Sequence, residues 1–487
     1  MNRKEQETRD RNDLFQNPLV ERYSSKAMLR IFSPRRKFLT WRELWVQLAQ
    51  AQMELGLPVT EEQVEELKAT KEDLDLERAA QLERELRHDV MAHIHAWREK
   101  APKGGAILHL GATSAFVTDN TELLLMKQAL HLVRTEVVGA VQALAEQARK
   151  WKDLPCLGYT HYQPAQPTTV GKRICLWIQD LVLDHETLQS AEASLRARGV
   201  KGTTGTQASY LQLFDGDAEK VEELDRRVTK RIGFARSFPV TGQTYPRKVD
   251  YRVLSALAGV AASASKFAND IRLLSHEGEV EEPFEEKQVG SSAMPHKRNP
   301  MRSERIVSLA RYVLSLPANA GFTAADQWLE RSLDDSANRR ITIPEAFLGV
   351  DACLLLVTNV ARGLKVFPER TAANLESELP YLVAETVLME CVKRGGDRQA
   401  LHERLRALAV EAGRARKEGR RIDLVKELAS DRAFGLEESW LRERLDPRSL
   451  VGRAPEQVEV FLAEVVDPLL ELYEAELRAR RFGEVKV

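Results

Sequence analysis

The sequence predicts an all-α protein with three helical domains, the middle one a bundle of long helices. Two observations carry that expectation. Apolar residues recur in steps of three and four over long stretches, which is the period of a helix with one buried face. No alternation of strands with helices appears and no GxGxxG follows a strand, which disfavours a Rossmann fold.

The elements follow in chain order. Residues 40–55 read as a helix: Thr40 with Glu43 is a capping-box pair, and Leu44, Leu48, Ala51 and Leu55 follow at helical spacing. Gly56 and Pro58 stop it, and Thr60 with Gln63 opens the next helix in the same way. A much longer helix follows Asn120. Leu123, Met126, Leu130, Val133, Val137, Val141, Leu144 and Ala148 form one stripe, and Asp153 and Pro155 end it. A second long helix is expected over 249–274, where Ala, Gly and Ser on several faces suit close backbone approach at a bundle centre. A third, over 299–316, joins the same bundle. Beyond about residue 366 the chain breaks into shorter helices at Gly395-Gly396, Pro447 and Pro455. The expected domains are 1–112, 113–365 and 366–487.

Composition bounds the function. The 487 residues exceed what one core organises. With 43% hydrophobic and 30% charged residues the balance is that of a soluble protein. A net charge of −1 provides no global field for nucleic acid or an anionic membrane, so neither is expected as a partner. Cys156, Cys175, Cys353 and Cys391 form no CxxC pair, which argues against a disulfide framework or zinc site and for a reducing compartment. The N-terminal MNRKEQETRD lacks the apolar core of a secretory signal, and no run of about 18 apolar residues suggests a membrane span. A cytoplasmic location is expected.

Four segments break the helical period with Gly, Ser, Thr, His and Pro, and loops on rigid scaffolds are where chemistry concentrates. The first holds Arg87-His88-Asp89, His93 and His95, then His109 to Ser114. The histidine spacing does not match a zinc motif, so no metal is expected. Thr113 and Ser114 read as helix caps, and a helix start also presents free N–H groups to an anion. The second, THYQPAQPTT at 160–169, reads as a rigid polar loop around His161, either a turn residue or an acid–base group. The third, KGTTGT at 201–206, lacks the order of a phosphate-binding P-loop and reads as a tight turn, and Gln243 sits in a similar polar turn. The fourth, GSSAMPHKRNP at 290–300, sets small residues before Lys297, Arg298 and Arg302: either a solvated basic loop or a lid closing on an anion. If the segment after Arg331 is helical, Ser336 and Arg340 share a face.

The 290–300 segment resembles the GSSxMPxKxNP signature of the fumarase/aspartase superfamily. With RHDVMAHIHA, LHLGATS, THYQPAQPTTVGKR, VKGTTGTQASYLQLF, TGQTYPRKVD and LDDSANRR, the chain resembles the adenylosuccinate lyase family, most nearly the branch including the animal enzymes. The resemblance runs from Arg22-Tyr23 to the region of Gly452–Pro455. It implies an all-helical, three-domain fold, a homotetramer joined through the bundles, active sites drawing on three subunits, and no metal or organic cofactor. It implies cleavage of adenylosuccinate to AMP and fumarate, and of the succinylated carboxamide intermediate of purine synthesis to the free carboxamide nucleotide and fumarate. His161 falls where the family has its general acid and Ser291 where it has its general base. Arg22, Tyr23, Arg305, Ser336 and Arg340 match positions that hold the nucleotide, chiefly its phosphate. Arg87, His88, Asp89, Thr113, Ser114, Gln243, Lys297 and Asn299 match positions around the succinyl group and base, and Arg331 matches a further substrate-binding position. His296 stands where some members have Tyr and is assigned no chemistry. A sister lyase acting on argininosuccinate, or a non-catalytic nucleotide-binding scaffold, are the alternatives. The Arg22, Arg305 and Arg340 set favours a phosphate-bearing substrate.

Overall fold

The computed structural model describes residues 13–479, and the N-terminal stretch read above for a signal lies outside them. Helix α1 spans Pro34–Glu54 and so begins earlier than the expected 40–55. Ser33 is its cap, accepting from the Arg36 N–H at 3.2 Å, and Pro34 takes the first helical position, where a missing N–H costs nothing. Thr40 is an interior residue whose hydroxyl donates back to the Arg36 carbonyl at 2.8 Å. The Thr60–Gln63 capping box does form, at the head of the helix Glu61–Thr70. Helix α2 spans Asp89–Arg98.

Helix α3, Ser114–Lys150, is the longest element described. At 1.5 Å per residue it is about 55 Å long. Every residue of the stripe from Leu123 to Ala148 named above is fully buried. A β-hairpin follows, with β1 at Pro155–Thr160 and β2 at Gln163–Thr169, where a polar loop was expected. Pro164 and Pro167 are tolerated because β2 pairs on one side only.

Helix α4, Val170–Ser194, returns along α3. Helix α5, Lys248–His276, packs against α4, and a Cβ at Gly259 would lie 3.0 Å from the Asp184 carboxylate, so the small residues there do permit close approach. Strand β3 (Val280–Glu281) leads into the 290–300 loop. Helices α6 (Met301–Ser315) and α7 (Asp335–Gly363) complete the bundle, and β4 (Lys365–Val366) closes on β3. By composition α7 is apolar enough to cross a membrane, but 78% of its apolar window is buried inside the protein, as in a core helix.

A second buried cluster joins Trp41, Trp45 and Trp97 to Tyr210, Phe214 and Leu224. A third, around Leu401, Val425 and Leu441, holds the short C-terminal helices together. Val458, Leu462 and Val466 then return to the main bundle core.

Because α3 and α5 are long, the bundle has two well-separated ends. Residues 113, 247 and 335 sit at the beginnings of α3, α5 and α7, while the hairpin and the β3–β4 pair cap the other ends. The Tyr162 hydroxyl meets the Glu277 carboxylate at 3.2 Å, tying the hairpin tip to the far end of α5.

Candidate active site

At the near end, the N-termini of α2, α3 and α7 converge on one cleft of about 990 Å³. Each helix start brings the positive end of its dipole to the same space. Arg87, His88, Asp89, Thr113, Ser114, Gln243, Arg331, Ser336 and Arg340 all line it. Ser336 and Arg340 share a face of the first turns of α7, as their spacing predicts. Arg340 pairs with Asp89 at 3.2 Å.

His88 caps α2: its Nδ1 accepts the Met91 N–H at 3.3 Å, which assigns the ring proton to Nε2, and Nε2 lies 3.4 Å from the Ser114 hydroxyl. Thr113 sits at the cap position of α3, but its hydroxyl makes no cap bond. It instead accepts from Gln243 Nε2 at 3.4 Å, so the hydroxyl faces the cleft rather than its own helix. His93 turns away from the cleft. It stacks on Phe38 at 3.8 Å, and burial, then the Arg42 charge, lowers its pKa to about 4. His109 accepts from Trp45 Nε1 at 3.0 Å, and burial, then His88, lowers it likewise to about 4.

The cleft floor is a buried ionic network. Arg247 donates to Asp335 at 2.7 Å and to both oxygens of Asp119 at 3.2 Å. Arg339 donates to Asp250 at 2.7 Å and Glu122 at 2.5 Å, and the Tyr245 hydroxyl donates to Asp250 at 2.6 Å. Burial opposes both guanidinium charges, but the carboxylates more than offset it and hold Arg247 and Arg339 above their ordinary range. Burial pushes Asp119 up, and Arg247 with Arg339 brings it below the usual carboxylate range. One oxygen of Asp335 is buried without a hydrogen bond, with Arg331 3.9 Å away. The network ties the starts of α3, α5 and α7 together and so fixes the cleft walls. Of these residues the sequence reading gave a role only to Arg331, as a substrate-binding position. A charge at Asp119, Glu122 and Arg339 within otherwise apolar helices was the available signal.

The remaining expected residues lie elsewhere in the chain. His161 occupies the hairpin tip, with Tyr162, in a two-residue turn where both are left-handed, at φ 51° and 55°. That is the geometry of a type I′ turn, which glycine and asparagine favour. Non-glycine residues there carry roughly 1–2 kcal/mol of strain each, and strain of this kind clusters at functional positions.

Ser291, Lys297 and Asn299 lie in the 290–300 loop at the same end of the bundle. Asn299 donates to the Gly290 carbonyl at 2.9 Å, closing the loop base. A Cβ at Gly290 would fall 2.2 Å from the Lys297 carbonyl, so the glycine is required for close approach. The Ser291 hydroxyl accepts the N–H groups of Ala293 and Met294 at 3.3 and 3.1 Å.

Arg22, Tyr23 and Arg305 form a third group along the bundle. Both guanidiniums lie over the Tyr23 ring, at 5.9 and 5.7 Å, and Arg305 has a buried nitrogen without a hydrogen bond. Within one chain, then, the cleft residues stand a helix length of about 40–55 Å from His161 and Ser291.

The chain matches a lyase family model over residues 25–315 and an adenylosuccinate lyase C-terminus model over 380–461. It is 50% identical to the adenylosuccinate lyase of Schistosoma mansoni and 47% identical to that of Saccharomyces cerevisiae, each alignment covering 95% of this chain and 97% of the relative. The 3-carboxy-cis,cis-muconate lactonizing enzyme of Pseudomonas putida superposes with a TM-score of 0.79 at 26% identity, over 93% of this chain and 98% of that one.

Proposed function

The chain belongs to the adenylosuccinate lyase family, and from that premise we propose that it releases fumarate from adenylosuccinate, leaving AMP, and from the succinylated aminoimidazole carboxamide ribonucleotide, leaving the free carboxamide nucleotide. The observation that carries this reading is the cleft where three helix N-termini and Arg87, Arg331 and Arg340 meet. Such a site suits a polyanionic nucleotide rather than a neutral one. The argininosuccinate alternative has no phosphate to use it.

Ser291 removes a proton from the carbon next to a succinyl carboxylate. The C–H electron pair passes into that carboxylate as an aci-dianion, and its collapse expels the nitrogen of the leaving group, which takes a proton from His161. The hydroxyls of Thr113 and Ser114, with Lys297 and Asn299, supply donors to the dianion. A serine is a base only if its alkoxide is stabilised. The N–H groups of Ala293 and Met294 already point at the Ser291 oxygen, and Lys297 lies on the same loop.

These groups meet only if different chains contribute them. We therefore read the working enzyme as a homotetramer, each site taking its cleft from one subunit and its hairpin and loop from others. Supporting this, Leu176 and Leu183 on α4, Leu273 on α5 and Leu314 on α6 are exposed apolar residues on bundle helices. A cytoplasmic location fits a purine-synthesis enzyme with buried free cysteines. The test is incubation of the purified protein with adenylosuccinate. Fumarate and AMP in equal amounts are expected, and no turnover by assembled protein would refute the reading.

A further inference from the structure

The cleft holds one more cation that the family signature does not single out. Lys37, in the first turns of α1, lines the cleft beside Arg340. It is half-buried, and its ammonium rests over the rings of Phe38 and Trp41, at 5.2 and 5.1 Å. Among the described residues it has no ion pair. Its carboxylate neighbours are engaged elsewhere: Asp89 by Arg340, and Glu122 by Arg339. Glu83, the other nearby acid, is exposed to solvent.

A half-desolvated ammonium with no ion pair of its own is costly, and the more distant carboxylates offset that only in part. Setting it next to a second cation costs more, unless an anion comes between them. Burial, and then the charge of Arg340, hold the Lys37 amine below the ordinary lysine range. A phosphate monoester, carrying nearly two negative charges at neutral pH, relieves both costs at once, whereas a single carboxylate relieves less.

We propose that Lys37 is a substrate-binding residue that, together with Arg340, holds the phosphate of the nucleotide. The aromatic platform fixes the direction of the ammonium, and the positive end of the α7 dipole borders the same cleft. This rests on the reading of the cleft as the nucleotide site. If the wild-type enzyme turned over no adenylosuccinate, that reading would fail, whereas the Lys37 assignment is judged by differences between active variants.

The experiment compares Lys37→Met, Lys37→Gln and Lys37→Arg as assembled enzymes. KM and kcat are measured for adenylosuccinate, and inhibition by AMP and by fumarate is measured separately. AMP carries the phosphate and no carboxylate, and fumarate the reverse. Loss of one charged hydrogen-bonding partner should raise KM and the AMP inhibition constant about tenfold or more in the Met and Gln variants. Fumarate inhibition should stay within about twofold and kcat should fall less than KM rises. Arg at this position should restore most of the AMP affinity. Lys37→Gln keeps the proposal testable should Lys37→Met fail to assemble. Unchanged AMP inhibition in assembled Gln or Met enzyme overturns the proposal. Weakened fumarate with unchanged AMP overturns the phosphate assignment, and so does an Arg variant as poor as Gln.

Discussion

Replacing Asp119 by asparagine should destabilise the enzyme by about 3 kcal/mol at pH 7, the low end of the range for breaking a buried ion pair. Asp119 is 2% exposed and accepts three hydrogen bonds, two from Arg247 at 3.2 Å and one from the Tyr245 N–H at 2.9 Å. Asparagine keeps the volume and can still accept from Tyr245, but it leaves the buried Arg247 with Asp335 alone, at 2.7 Å. That surviving partner is why the low end applies. The pH dependence has a definite sign. The folded carboxyl of Asp119 is held below its unfolded value, so its contribution is fully present above about pH 4 and fades as pH falls through the lower folded value. Urea midpoints of wild type and variant, at one protein concentration and several pH values, provide the measurement. A penalty below about 1 kcal/mol at pH 7 would refute the view that this network holds the cleft walls together. The same variant should raise KM for adenylosuccinate, because Asp119 links the starts of α3 and α5, and Arg247 carries that link on to α7.

Two further outcomes follow from other buried or strained groups. Burial raises the Asp184 carboxyl to about 6, so the folded state holds that proton more tightly than the unfolded chain and stability declines as pH rises from about 4 to 6. Asp184→Asn should therefore raise the melting temperature at pH 8 and not at pH 4, with a gain of up to about 3 kcal/mol from roughly two pKa units. Equal effects at both pH values would contradict this. At the hairpin tip, His161→Gly should relieve the left-handed strain and stabilise the fold by about 0.5–1 kcal/mol while abolishing turnover. A fall in melting temperature would show that the turn is not strained.

The long helices were legible because burial enforces their period: each residue in the stripe from Leu123 to Ala148 is in the core. The start of α1 lies earlier than expected because Thr40–Glu43 imitates a capping box, while the Ser33-Pro34 pair supplies the real cap and first residue. The hairpin at 155–169 was illegible for a physical reason. Its prolines and polar residues disguise a strand that needs no partner on one side. Ser291 and His161 are singled out by the family resemblance rather than by periodicity, and their distance from His88 is a consequence of helix length. It was implicit in the unbroken stripe between Ser114 and the hairpin.

In the proposed tetramer one active site takes its cleft from one chain and its base from another. Tetramers of His88→Ala and of Ser291→Ala, each inactive alone, are dissociated, mixed in equal amounts and reassembled, and fumarate release is measured. With random reassembly, a site has an intact cleft in half of cases and an intact Ser291 from another chain in half, so about a quarter of wild-type activity should return. If no activity returns from mixed tetramers of proven hybrid composition, a single chain supplies both groups and the account is wrong.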